Sequence, residues 1–229
     1  MRILITAGST RERIDQVRDW GNIFTGNTGY AIAMAAKALG SVDLLTSNRA
    51  HVISAPAPIH ATSFTTHADL VNLIDEHMQA HSYDAVFMSA AVSDYAPSGA
   101  FEILTRDVAS DGSENWRVKP VQAGKIKSTY PALAIAGRPT EKIVDLFRTR
   151  WQHRGLLVKF KLEVDVSTPN LIEIGQTSRR ASGAEYLVAN TLDMVTGIKA
   201  GAYLLSDAGS EWVARDALPG RLVALVKRV

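Results

Sequence analysis

Cysteine is absent from the chain. That excludes disulfides and thiolate metal sites, and it suits a reducing compartment. No stretch approaches the ~20 apolar residues of a membrane-spanning helix. The opening residues, Met1 to Thr10, turn polar and glycine-bearing too early for a secretory signal. A cytoplasmic protein with no membrane partner is expected. Long basic runs are also missing, with 25 Lys and Arg dispersed against 23 Asp and Glu for a net charge of +2. So even a balance gives no nucleic-acid footprint, although a small anion needs only a local positive pocket. The standard phosphate motifs, the Walker loop and G-x-G-x-x-G, do not occur. Neither does a Tyr-x-x-x-Lys pair, which disfavours an NAD(P)-dependent reductase. His77 and His81 stand four residues apart without the intervening glutamate of a zinc-hydrolase helix, so they read as part of a solvated helix.

What is present is a hydrophobic fraction of 46% in 229 residues, enough for one domain with a substantial core. Ile3 to Ile5 is a short apolar run ending near Gly8 and reads as a buried first strand. Irregular chain is expected from Ala7 to Gly29, then a helix over Tyr30–Leu39. A strand follows over Val42–Leu45, and the Ala55–Pro58 segment breaks the pattern. Ala68–Gln79 reads as helix and Ala85–Met88 as strand. From 97 to 138 the periodicity is poor, which predicts a flap or hairpin insertion. A helix over Thr140–Trp151, with Thr140 as its N-cap, precedes an alternating strand over Leu156–Leu162. Pro169–Arg180 reads as helix, Tyr186–Val188 as strand, and Ala202–Leu205 with Trp212–Ala214 as a terminal hairpin. A last helix is expected over Leu218–Val229. This alternation implies an α/β, Rossmann-like, doubly wound and mostly parallel sheet in a single domain over 1–229.

Such sheets bind ligands beyond the carboxyl ends of their strands, so the loops after the strands are the informative ones. After the first strand come Gly8, Ser9 and Thr10, small or hydroxylic residues suited to phosphate. The same connection runs through Arg18 and Asn22 to Thr25, Gly26 and Gly29, which open a helix whose N-terminal dipole favours an anion. Ordinary turn glycines would look the same. Ala91 and Asp94 lie after the strand ending at Met88; Asp94 is equally suited to a cap or to accepting from a base or ribose. Lys125 and Lys127 sit in the poorly periodic segment, where a lysine can close over a triphosphate or simply be solvated. Phe160 offers a stacking surface, and Glu163 and Asp165 are candidate Mg2+ ligands. Arg179 and Arg180 end a helix, where cations also relieve its dipole.

In order, TAGSTRERIDQVR, NIFTGNTG, AAVSDY, KIKS, FKLEVD and AEYLVAN resemble the motifs of phosphopantothenoylcysteine synthetases, the phosphopantothenate–cysteine ligases. The resemblance covers residues 1 to about 195 and is nearest to the stand-alone ligases, without a decarboxylase half. It implies a ligase of coenzyme A biosynthesis. The carboxylate of 4′-phosphopantothenate attacks the α-phosphate of CTP (ATP in some relatives), pyrophosphate leaves, and the amine of L-cysteine displaces CMP. Mg2+ is implied as the triphosphate's counterion and a homodimer as the assembly, while the metal ligands stay unassigned. Carried over by motif, Asn22 and Lys125 are the catalytic residues. Gly8, Ser9, Thr10, Ala91, Asp94, Phe160 and Arg180 fall to the nucleotide, and Arg18, Thr25, Gly26 and Asn190 to the acid. The chain departs from the family at Ser9, where glycine is usual, at Phe24, where serine is usual, and at Asn27, Ala181 and Ser182, where basic residues are common. A divergent relative, ligating another acid or binding nucleotide without turnover, is the alternative these departures raise.

Overall fold

The computed structural model describes residues 1–121, 124–197 and 200–227. Its centre is an eight-stranded sheet in the order β13-β12-β11-β10-β6-β1-β4-β5. The strands are β1 (Arg2–Ala7), β4 (Ser41–Thr46), β5 (Ile59–Ser63), β6 (Ala85–Met88), β10 (Leu156–Glu163), β11 (Tyr186–Thr191), β12 (Gly201–Ser206) and β13 (Gly209–Ala214). All pair in parallel except β12 and β13, which form the expected terminal hairpin. β1 carries five consecutive buried residues because helices cover both of its faces, and a doubly covered strand reads as a continuous apolar run.

Two apolar layers result. On one face Ile3, Ile5, Val42, Leu44 and Phe87 pack with Ile32 and Ala33 of α1 (Asn27–Ala36) and Leu222 and Val226 of α6 (Leu218–Val226). On the other, Leu4, Leu45, Val86 and Leu157 pack with Leu70 and Ile74 of α3 (His67–Ala80) and Ile143 and Phe147 of α4 (Ile143–Thr149). Helix α5 (Thr168–Ala181) buries Leu171 against Leu187, Ala189 and Leu205. No described helix is long and apolar enough to cross a membrane.

Several elements differ from the sequence expectation. The irregular stretch after β1 contains a small hairpin, β2 (Arg11–Arg13) and β3 (Asp19–Gly21). The poorly periodic insertion is a three-stranded antiparallel sheet, β8-β7-β9, built from β7 (Tyr95–Val108), β8 (Glu114–Pro120) and β9 (Leu133–Pro139). Residues 122–123 of that insertion, and 228–229 of the expected last helix, lie outside the described residues. β5 is an edge strand with one buried residue in five, so no apolar pattern announces it. Helix α2 (Arg49–Ser54) is too short to show a period. Thr140 does not cap α4; its hydroxyl donates to the Ser93 carbonyl at 2.5 Å, and the helix starts three residues later. β10 does not alternate, because Leu156 to Lys159 are all buried between β6 and β11.

Burial holds three imidazoles, His51, His77 and His153, below their ordinary titration range. His77 Nδ1 hydrogen-bonds the Tyr83 hydroxyl at 2.9 Å. A histidine whose folded pKa is depressed leaves stability intact above the unfolded value of about 6.5. Below it the unfolded chain takes up protons the fold refuses. We therefore expect the melting temperature to be flat above about pH 7 and to fall between about pH 6.5 and 5. Thermal melts across this range check it, and a melting temperature that rises on acidification contradicts the burial of these rings as neutral groups.

Candidate active site

Chain order reverses at β1: β4 and β5 are added on one side, then β6, β10 and β11 on the other. The connections leaving β1 and β6 therefore diverge and leave a crevice at their carboxyl ends. Before diverging they are laced together. The Ala91 amide donates to the Gly8 carbonyl at 2.8 Å, and the Thr10 amide to the Ala91 carbonyl at 3.2 Å. Gly8 takes φ 89° there, in the left-handed region. Ser9 does not, so serine in place of glycine strains nothing. Gly26, with φ 82°, opens α1 against this lacing, and a Cβ on it would sit 2.3 Å from the Gly8 nitrogen. Only glycine permits that approach.

The crevice is a cavity of about 540 Å3. Of the residues expected from sequence, Gly8, Thr25, Gly26, Ala91, Phe160 and Asn190 line it. Asn27, Ser89, Lys161 and Arg215 also line it. Lys161 lay inside the FKLEVD segment and pairs with Glu163 at 3.0 Å. Arg215 had no sequence signal; the connection between β13 and α6 brings it in, and its guanidinium donates to the Val195 carbonyl. Phe24, one of the departures, is a wall residue of the same cavity.

The other expected residues are placed differently. Ser9 and Thr10 are buried, and their polar groups are spent on the fold. The Ser9 hydroxyl donates to the Asn22 carbonyl at 3.0 Å, and the Thr10 hydroxyl accepts from the Ser93 amide at 2.9 Å. They brace the loops instead of facing the cavity. Asn22 is exposed at the rim, its side-chain amide 3.2 Å from the Ala91 carbonyl. Asp94 is exposed, and its carbonyl accepts from the Thr140 amide at 2.9 Å.

Arg18 and Lys125 come together away from the cavity. The Asp15 carboxylate accepts from the Ile126 amide at 3.0 Å, and Arg18 donates to Asp15 at 3.1 Å and to the Ile126 carbonyl at 2.9 Å. The Ile126 and Val17 amides hold the Asp15 carboxyl below the usual carboxylate range. The β2–β3 hairpin is thus fastened to the segment carrying the exposed Lys125. Arg180 is not at the site. Helix α5 runs from the carboxyl end of β10 to the amino end of β11, so its last turn lies at the opposite edge of the sheet. Its neighbour Arg179 is buried and donates to the Ala184 and Glu185 carbonyls.

A second cavity, of about 420 Å3, lies between α4 and α5. Lys142, Asp145, Lys159, Glu173 and Thr177 are among its lining residues. Lys159 is buried, donates to the Ser178 carbonyl at 3.0 Å, and is pushed below the usual lysine range by burial. Among the described residues, no three His, Asp or Glu side chains converge as a metal-holding group. Asp145 and Glu173 nevertheless share this cavity. They stand beside Lys142 and Lys159, so the cavity's charges already balance.

Residues 1–106 match the family described as DNA/pantothenate metabolism flavoprotein C-terminal domain. The chain is 32% identical over 191 residues to the coenzyme A biosynthesis bifunctional protein CoaBC of Thermococcus kodakarensis. That stretch is 83% of this chain and 41% of that protein, so the chain spans about two fifths of its relative's length. Among solved structures, the DNA/pantothenate metabolism flavoprotein from Streptococcus pneumoniae superposes with a TM-score of 0.81 at 26% identity, over 100% of this chain and 99% of the other. A Cab2 variant in complex with phosphopantothenate-cysteine shares the fold alone, with a TM-score of 0.68 at 16% identity over 99% of this chain and 86% of that one. The first 106 residues thus match that family's model, and the whole fold is shared with the Streptococcus pneumoniae protein.

Proposed function

We propose that the chain is a phosphopantothenate–cysteine ligase of coenzyme A biosynthesis, acting as a cytoplasmic homodimer. Its substrates are 4′-phosphopantothenate, L-cysteine and CTP or ATP. The observation that carries this reading is the cavity at the sheet's reversal point, where Gly8, Ala91 and Phe160 meet Thr25, Gly26 and Asn190. An acyl-nucleotide intermediate needs its acid-holding and nucleotide-holding groups side by side. The relative's printed role in coenzyme A biosynthesis and the ligand held by the Cab2 variant support it.

The chemistry divides as follows. The acid's carboxylate oxygen bonds to the α-phosphorus and pyrophosphate departs. The amine nitrogen of cysteine then bonds to the acyl carbon, the nucleoside monophosphate leaves, and the amine gives up a proton. Thr25, Asn27 and the uncapped amides opening α1 suit an anionic end of the acid. Asn22, held at the rim through Ala91, offers an amide donor to the oxyanion formed at the acyl carbon. Lys161 and Arg215, which line the same cavity, offer cations for the nucleotide's phosphates. Mg2+ bound with the nucleotide would supply charge neutralisation on the triphosphate. Arg18 and Lys125 do not line this cavity, and in a homodimer a second copy would have to bring them to it. A relative that ligates another acid is favoured only by Phe24, an apolar wall residue.

Pyrophosphate release tests the reading. With Mg2+, L-cysteine and CTP or ATP, release is expected to require 4′-phosphopantothenate. Acid-independent release, or silence from folded protein with both nucleotides, contradicts it; release with a different acid selects the alternative.

Two substitutions give further tests. Asn22→Asp is expected to lower kcat by roughly a hundredfold while the nucleotide's Kd stays unchanged. Equal turnover would remove Asn22 from the chemistry. Lys159→Met is expected to raise the melting temperature, since it removes a buried ammonium, by about 1–3 kcal/mol of stability. Thermal melts check it, and an unchanged or lowered melting temperature would contradict the cost of burying that ammonium.

A further inference from the structure

Helix α2 has no part in the chemistry above, yet its first residues touch the lip of the larger cavity. Asn48 is the N-cap, and its Oδ1 accepts from the Ala50 amide at 3.0 Å. That bond fixes which end of the amide is Nδ2. Nδ2 in turn donates to the Thr25 carbonyl at 3.1 Å. One turn on, His51 is 7% exposed, and its ring stacks on Tyr30 with centroids 4.4 Å apart and planes 11° apart. Its Nε2 lies 3.2 Å from Asn27 Oδ1, and its Nδ1 lies 3.4 Å from the Thr46 hydroxyl. The Thr46 oxygen also accepts from the Asn48 amide at 3.2 Å, and Asn48 Nδ2 lies 3.3 Å from His51 Nε2. The ring is thus held between Thr46 on one side and Asn27 and Asn48 on the other, and burial disfavours its charged form.

The lip needs this support. Gly26 has no side chain, α1 has no side-chain cap, and Thr25 and Asn27 are exposed on either side of the glycine. A glycine turn costs the most conformational entropy when it is ordered. Holding its two neighbours from behind leaves the cavity-facing side open.

We propose that Asn48 and His51 are positioning residues that hold the Thr25–Gly26–Asn27 lip in the shape that receives the acid substrate. The pair grips the turn at two points: the Thr25 backbone through Asn48 and the Asn27 side chain through His51. Tyr30 clamps the ring, and its own hydroxyl is tied to Ser54 at the far end of α2. The lip is therefore ordered before substrate arrives.

This rests on reading the larger cavity as the acid's site, so the test has one arm that does not depend on catalysis. In ligand-free protein, amide hydrogen exchange over residues 25–29 is compared in wild type, His51→Ala and His51→Gln, with melting temperatures recorded alongside. Exchange at the lip should rise in the alanine variant. Glutamine, whose side-chain amide can donate to Asn27, should restore protection. In the pyrophosphate assay, His51→Ala should raise KM for the acid about fivefold to tenfold, the factor one neutral hydrogen bond commands, with kcat and the nucleotide KM little changed. Unchanged lip exchange in His51→Ala overturns the proposal. So does an equal rise in both KM values, or a failure of glutamine to restore either readout. If wild type shows no ligase turnover, the functional reading fails, and the exchange arm still judges the clamp.

Discussion

The lacing of the chain leaving β1 to the chain leaving β6 is the constraint on which the site depends. Gly8 and Thr10 bond to the two sides of Ala91, and Ser9 pairs with it in a parallel bridge. Such a join requires a left-handed residue at position 8 and nothing larger than glycine at position 26, where α1 presses onto it. Because strand order reverses here, the same join forces the two chains apart just beyond it. The cavity is what that divergence leaves open. Ser9 and Thr10 spend their hydroxyls on this architecture.

Strand β10 then has two unlike sides. It is a central strand, so successive residues face opposite layers. Lys159 points toward α4 and α5 and lines the second cavity, while Phe160 packs with the layer of α1 and α6 and lines the larger one.

Most of the fold was legible because buried parallel strands announce themselves. The run Ile3–Ile5 and the run Ala85–Met88 were found for that reason, and the expected terminal hairpin is β12 with β13. β5 was missed because an edge strand with one buried residue carries no pattern. Thr140 misled because a hydroxyl before an apolar run has uses besides capping, here a bond to Ser93. At the site, the glycines and Ala91 were legible as small residues after strands. Arg180 was misassigned, since position in a helix does not reveal at which edge of the sheet the helix ends. Arg215 and the Asn48–His51 pair were invisible, because only the tertiary fold brings them to the cavity.

The central claim is that the larger cavity holds the acid. The direct measurement is a crystal structure grown with 4′-phosphopantothenate, CTP and Mg2+ but without cysteine, so that the acyl-nucleotide accumulates. The account predicts the phosphopantothenoyl arm in the cavity, against Thr25, Asn27 and Asn190. An acyl-nucleotide bound elsewhere, with that cavity empty, would contradict it.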